Sequence, residues 1–167
     1  MRVRILMAII MPIFTIIAAF CFGLALWSYI SINRKQKKID RKINDLKSNA
    51  ISMSPEEFMK MRNAKTFGRG KYALRKNFDG VYVIHNITKD MYYVGQAKEV
   101  LNRVNSHFTG SGNGDVYADY KYGDKFNVSI IALENSGYNN LNDLERDTIS
   151  VYNAYNKGYN KTRGNRS

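Results

Sequence analysis

Hydrophobic and polar positions along this chain change rhythm several times, and each change predicts a different element. Ile5 to Ile32, ILMAIIMPIFTIIAAFCFGLALWSYISI, contains no charged side chain. A helix of that run would reach roughly 42 Å at about 1.5 Å per residue, more than a hydrocarbon core of about 30 Å. It is also longer than the apolar stretch of about 7–15 residues in a cleaved signal peptide. The pattern therefore predicts one transmembrane helix, with Trp27 and Tyr29 suited to the interface at its end.

Beyond it the apolar positions thin to a stripe, Ile32, Ile39, Ile43, Leu46 and Ala50, at steps that fit one side of a helix. Fewer than three full heptads are present. The stripe reads as a solvated stalk continuing the anchor, with a short coiled coil pairing two copies as the alternative. In SMSPEEFMKMRN, Ser54 can cap, Pro55 fits the first helical position and Glu57 completes a capping box. This predicts a short helix, edged by Phe58 and Met61, that docks on the following domain or on the membrane surface. TFGRGKYALRKN then reads as a flexible approach to that domain.

From Asp79 the period becomes that of strands. GVYVIHN and MYYVGQ are rich in β-branched and aromatic residues and are separated by ITKD, which predicts a hairpin. AKEVLNRVNSHF returns to helical spacing, with Val100, Leu101, Val104 and Phe108 on one face. GSGNGD reads as an ordinary loop without the Lys-Ser/Thr ending of a phosphate loop, and Asp115 is placed to cap a short helix through Lys121. FNVSIIAL predicts a third strand. A long helix follows, with Leu141, Leu144, Thr148, Val151 and Tyr155 on its buried stripe and Gly158 at its end. The whole is an α/β (α+β) fold: a small three-stranded antiparallel sheet flanked by helices, preceded by a single transmembrane helix and a basic helical stalk. The expected boundaries are 1–32, 33–78 and 79–167.

Charge refines this picture. The net charge is +12, but Asn33 to Asp79 holds fourteen Lys/Arg against five Asp/Glu, while Gly80 to Ser167 holds ten against nine. The basic excess lies in the connecting segment, which suits nucleic acid or anionic lipid. Arg34, Lys35, Lys37, Lys38, Arg41 and Lys42 follow the apolar run closely, whereas only Arg2 and Arg4 precede it. That bias predicts a single-pass protein of the inner or plasma membrane with its C-terminal domain in the cytoplasm. Cys21, the single cysteine, lies inside the span, which excludes an intrachain disulfide and a thiolate metal site outside the membrane.

Within the C-terminal region several polar residues stand out. Arg103 and His107 are four apart on one helix face. Glu145 sits at the edge of an apolar stripe, where its carboxylate would need a cation or hydrogen bonds. GVY at Gly80 to Tyr82 and YVG at Tyr93 to Gly95 resemble the namesake motif of the GIY-YIG nuclease family, with Val in place of each Ile. Arg103, then His107 in an R-x-x-x-H arrangement, then Glu145 in a later helix and Asn160 in GYN continue the resemblance in order, over roughly the last 88 residues. Ala97 departs from it, because members commonly carry a capping Ser or Thr there.

The resemblance implies hydrolysis of a DNA phosphodiester with one divalent cation, Mg²⁺ or Mn²⁺, held by Glu145. Tyr82 is the candidate base and Tyr93 its positioning neighbour. The base reading requires the Tyr82 phenol to be lowered from about 10 toward neutrality. Arg103 would help to lower it or would neutralise the phosphate, and His107 could take the proton onward. Asn160 would hold the C-terminal turn. Arg69, Lys71, Arg75 and Lys76 are candidates for DNA phosphate contacts. Expected partners are DNA, the lipid membrane and, through the stalk, a second copy. The reading is a membrane-anchored endonuclease of little sequence specificity acting on DNA that reaches the cell, in phage defence or superinfection exclusion. A catalytically inactive membrane tether for DNA is the alternative.

Overall fold

The computed structural model describes residues 2–64 and 77–165, with side chains from residue 14 onward. Arg69, Lys71, Arg75 and Lys76, and with them the expected flexible approach, lie outside the described residues. The chain divides into two units, Met1–Arg41 and Lys42–Ser167.

Helix α1 spans Arg2–Asn49. Its part from Phe14 is long and apolar enough to cross a membrane, and Phe14, Phe20, Phe22 and Trp27 are all exposed.

The second unit holds a four-stranded antiparallel sheet in the order β1-β4-β2-β3, from β1 (Ser52–Met53), β2 (Gly80–Asn86), β3 (Met91–Ala97) and β4 (Phe126–Ala132). The sequence predicted three strands. The fourth is β1, whose Ser52 and Met53 pair with Ser129 and Val128. Two residues are too few to show a period, so the pattern gave no sign of it.

Central strand β2 pairs Tyr82 with Gly95 of β3 and with Ile130 of β4. Side chains alternate across it. Tyr82 and Ile84 join a core with Phe126 and Val128 of β4 and with Phe58, Val100, Leu101, Val104, Phe108 and Val116, brought by α2 (Pro55–Asn63), α3 (Val100–Phe108) and α4 (Gly114–Lys121). Val81 and Val83 lie on the opposite face and are buried as well, as are Leu144 and Ile149 of α5 (Leu141–Val151), which packs against β3 and β2.

The capping box that opens α2 is formed: the Glu57 N–H donates to Ser54 Oγ at 3.2 Å and the Ser54 N–H donates to Glu57 at 2.8 Å. Phe58 is completely buried in the core with Tyr82 and Val104, so this helix docks on the following domain. Ile43 is completely buried and Leu46 and Ala50 are half-buried in the same unit. The lower part of the stripe is thus covered by the chain's own fold. Lys42 Nζ donates to the Gly137 carbonyl at 2.6 Å and lies 3.6 Å from the centre of the Tyr138 ring.

Three local expectations are corrected. The cap of α4 is Asn113, whose Oδ1 accepts from the N–H groups of Asp115 and Val116, and not Asp115. Helix α5 stops at Val151, well short of Gly158. Asn153 takes φ 51°, the Asn153 N–H bonds to Ser150 and the Ala154 N–H bonds to Ile149, which is a Schellman ending. Its buried stripe is Leu144, Glu145, Thr148 and Ile149, while Tyr155 is exposed.

Because Phe58 fills the same core as Tyr82, Phe58→Ala is expected to cost roughly 3–5 kcal/mol. Equilibrium denaturation reads this as a lower midpoint, and a loss under about 1 kcal/mol would show that α2 is only loosely attached.

Candidate active site

Tyr82 comes from the middle of β2, where alternation aims it into the core, and it is 1% exposed. Its hydroxyl fits only because residue 95 has no side chain: a Cβ at Gly95 would overlap the Tyr82 Oη and ring. The glycine of YVG thus makes room for the tyrosine of GVY on the paired strand.

His107, completely buried on α3, meets that hydroxyl with Nε2 at 2.8 Å. Tyr93 closes the group. Ring centroids lie 6.1 Å apart for Tyr82 and Tyr93, 5.3 Å for Tyr82 and His107, and 4.8 Å for Tyr93 and His107. Arg103, one turn before His107, is exposed, yet its guanidinium acts electrostatically on both Tyr82 and His107.

The electrostatics run against one expectation. Burial pushes the Tyr82 phenol well above its ordinary range and Tyr93 adds to this, while the charge and hydrogen bond of Arg103 pull the other way without prevailing. The phenol is therefore raised and not lowered, because desolvation of a phenolate outweighs one nearby cation. Burial, with the charge of Arg103, also pushes His107 down to about 4, so the ring is neutral at pH 7.

The neutral ring has one proton, and its position follows from its neighbours. The Asn113 backbone N–H donates to His107 Nδ1 at 2.8 Å. Nδ1 must then carry the lone pair and Nε2 the proton. The Nε2–H then donates to Tyr82 Oη. The loop GSGNGD, read as an ordinary loop, supplies this contact.

Glu145 lies on the α5 side of the sheet, 9% exposed. Its hydrogen-bond contact with the sheet is to β3: Gln96, next to Gly95, donates from Nε2 to Glu145 Oε2 at 3.1 Å and to Asn142 Oδ1 at 2.7 Å. Burial pushes the Glu145 carboxyl up, opposed by donors from the Asn165 backbone and from the Gln96 side chain and backbone. Gln96 and Asn142 were not singled out from the sequence. The signal was one amide at the end of an otherwise aromatic and aliphatic strand.

Asn160 grips the edge of β3, accepting from the Val94 N–H at 2.8 Å and donating to the Val94 carbonyl at 2.7 Å. Ala97 ends β3, and the N-cap residue of α3 is Glu99, which makes no side-chain cap hydrogen bond. Asn77 substitutes from before β2, its Oδ1 accepting from the Leu101 N–H at 2.9 Å.

Among the described residues, no three His, Cys, Asp or Glu side chains gather as a ligand set. Glu145 is a single hard oxygen donor that makes no ion pair among the described residues. A cation such as Mg²⁺, which keeps most of its waters and needs one or two carboxylates, fits that donor chemistry.

A His held neutral in the fold stabilises it above the unfolded value of about 6.5, and the contribution is lost as pH falls through about 4. Stability is expected to drop over this window by on the order of 3 kcal/mol. Denaturant midpoints between pH 7 and 4 should show the slope in wild type and a flatter one in His107→Phe; parallel slopes would mean that the ring is not held neutral.

Residues 78–160 match the family model described as the GIY-YIG catalytic domain. A stretch of 46 residues is 46% identical to UvrABC system protein C of Desulfitobacterium hafniense (strain Y51), covering 28% of this chain and 8% of that protein. No solved structure matches the chain significantly. With the two motif tyrosines meeting across Gly95, and Arg103 and His107 beside them, residues 78–160 are a nuclease domain of the GIY-YIG family.

Proposed function

We propose that this protein is a membrane-anchored, divalent-metal-dependent DNA endonuclease with little sequence specificity, its nuclease domain on the cytoplasmic side. The observation that carries the catalytic part is the Tyr82–His107–Tyr93 group with Arg103 alongside, in a domain of a nuclease family.

Phosphodiester hydrolysis needs a deprotonated water, and Tyr82 is the base. Its phenolate, once formed, receives the hydrogen bond from His107 Nε2 and the charge of Arg103, both preorganised in the free protein. Tyr93 orients the water from the neighbouring strand. Arg103, the exposed member, is the group that a phosphate meets first, and it balances the charge gathering there. Glu145, held by Gln96, would be the ligand for Mg²⁺ or Mn²⁺. The bound cation would stabilise negative charge on the phosphate and the leaving oxygen.

The apolar helix and the basic segment after it support the anchored reading. Lys and Arg there, including Arg69, Lys71, Arg75 and Lys76, would give a nearly neutral nuclease domain salt-dependent hold on DNA. Anchoring confines cutting to DNA at the membrane, and incoming phage or conjugative DNA passes there. Removing residues 1–32 should abolish any protection of cells against such DNA; equal protection with and without them would end the defence reading.

With plasmid and Mg²⁺, wild type is expected to cut, and a chelator or Glu145→Ala to stop it. Arg103→Ala should lower the rate roughly 10²–10³-fold. Intact plasmid that shifts in a gel would mark a silent tether instead. Because the base is a raised phenol, kcat/KM should climb about tenfold per pH unit through neutrality. A plateau above pH 7 would point to a base of lower pKa.

A further inference from the structure

The loop after α3 meets His107 in a way that general packing does not require. The Ser111 N–H returns to the Ser106 carbonyl at 3.0 Å. Gly112 lies so close that a Cβ there would sit 2.6 Å from Nδ1 and 2.7 Å from the His107 Cα. The side chain of Asn113 is occupied in capping α4, at 3.0 Å from the Asp115 N–H and 3.1 Å from the Val116 N–H. Its backbone N–H is thereby held toward Nδ1, at 2.8 Å. One residue starts a helix with its side chain and fixes the imidazole with its main chain.

We infer that Asn113 is a positioning residue that locks His107 as a permanent hydrogen-bond donor to Tyr82. A backbone N–H can only donate, so a proton on Nδ1 would face another proton at hydrogen-bond distance. The ring carries its proton on Nε2, and Tyr82 Oη accepts it. Turning the ring over would set a carbon against the Asn113 N–H and leave that part-buried donor without its partner. His107 consequently keeps its proton throughout the reaction.

The catalytic part of this inference rests on the assignment of Tyr82 as base. The phenol proton leaves to water on the side away from His107. The phenolate then takes a proton from the attacking water: that O–H bond breaks, the Tyr82 O–H bond forms, and the freed electron pair makes the new P–O bond as the leaving oxygen departs. His107 stabilises the phenolate and exchanges nothing. Arg103 and Tyr93, the other polar groups facing the ring, lie outside the Nδ1 contact.

The full chain, in detergent micelles with ¹⁵N-labelled histidine, tests this directly. It contains two histidines, and His85→Gln assigns their signals. At pH 7 the His107 Nε2 should show a bonded proton and Nδ1 a lone pair. A proton on Nδ1, or on both nitrogens, overturns the inference whether or not plasmid is cut.

Two variants separate the main-chain donor from the cap. Asn113→Ala removes the cap and keeps the N–H; the tautomer should persist. Asn113→Pro removes the N–H at a position whose φ of −77° a proline accepts. There the Nδ1–H form should appear, with kcat lower by about 10²-fold and KM unchanged. A proline variant with the wild-type ring signature and wild-type kcat overturns the role of Asn113. A ring protonated on Nε2 in a protein that cuts no DNA supports the lock and overturns the base assignment alone.

Discussion

A phenol in the middle of a sheet, covered on both sides, needs a partner for its oxygen, because an unpartnered buried hydroxyl costs about 1–3 kcal/mol. Most of the site follows from meeting that need for Tyr82. His107 must come from a helix lying across the same face, Gly95 must leave space beside the oxygen, and the imidazole must present the correct nitrogen. The last condition reaches out to the loop after α3 and, through Asn113, to the start of α4. A chain of dependence thus runs from one hydroxyl through a ring and a peptide bond to a helix cap.

The same burial that orders the group opposes its ionisation. Tyr82 is held protonated by desolvation against the pull of Arg103, and Glu145 is likewise biased toward its neutral form by its surroundings. Both carry their charge reluctantly in the free protein. Added positive charge near either group would favour its ionised form. The exposed Arg103 contributes too little by itself to reverse the balance at Tyr82.

Interactions local in the chain were legible in the sequence. Ser54 and Glu57 are three residues apart and declared a capping box; runs of β-branched and aromatic residues exposed β2, β3 and β4; the α3 stripe appeared where it was expected. The ordered residues Tyr82, Tyr93, Arg103 and His107 do assemble into one group. What escaped notice joins distant residues or depends on the path of a loop. Asn77 caps a helix that begins after the intervening hairpin. Gln96 reaches Glu145 across forty-nine positions. The raised phenol of Tyr82 could not be read because the depth of burial is a property of the packed fold. Helix α5 was drawn too long because Tyr155 keeps the apolar rhythm, while Asn153 suits both a helix and its left-handed ending.

The two margins of the sheet are finished differently. Along β3, the Asn160 amide occupies the outward-facing backbone groups of Val94, and the Tyr159 N–H takes the Tyr92 carbonyl. At the opposite margin β1 is only two residues long, and Pro55 follows almost at once. Along β3 the chain itself thus takes up the outward-facing groups that a foreign strand would need at Tyr92 and Val94. At that margin a neighbouring molecule would meet no open template for the stacking that turns open sheets into fibres.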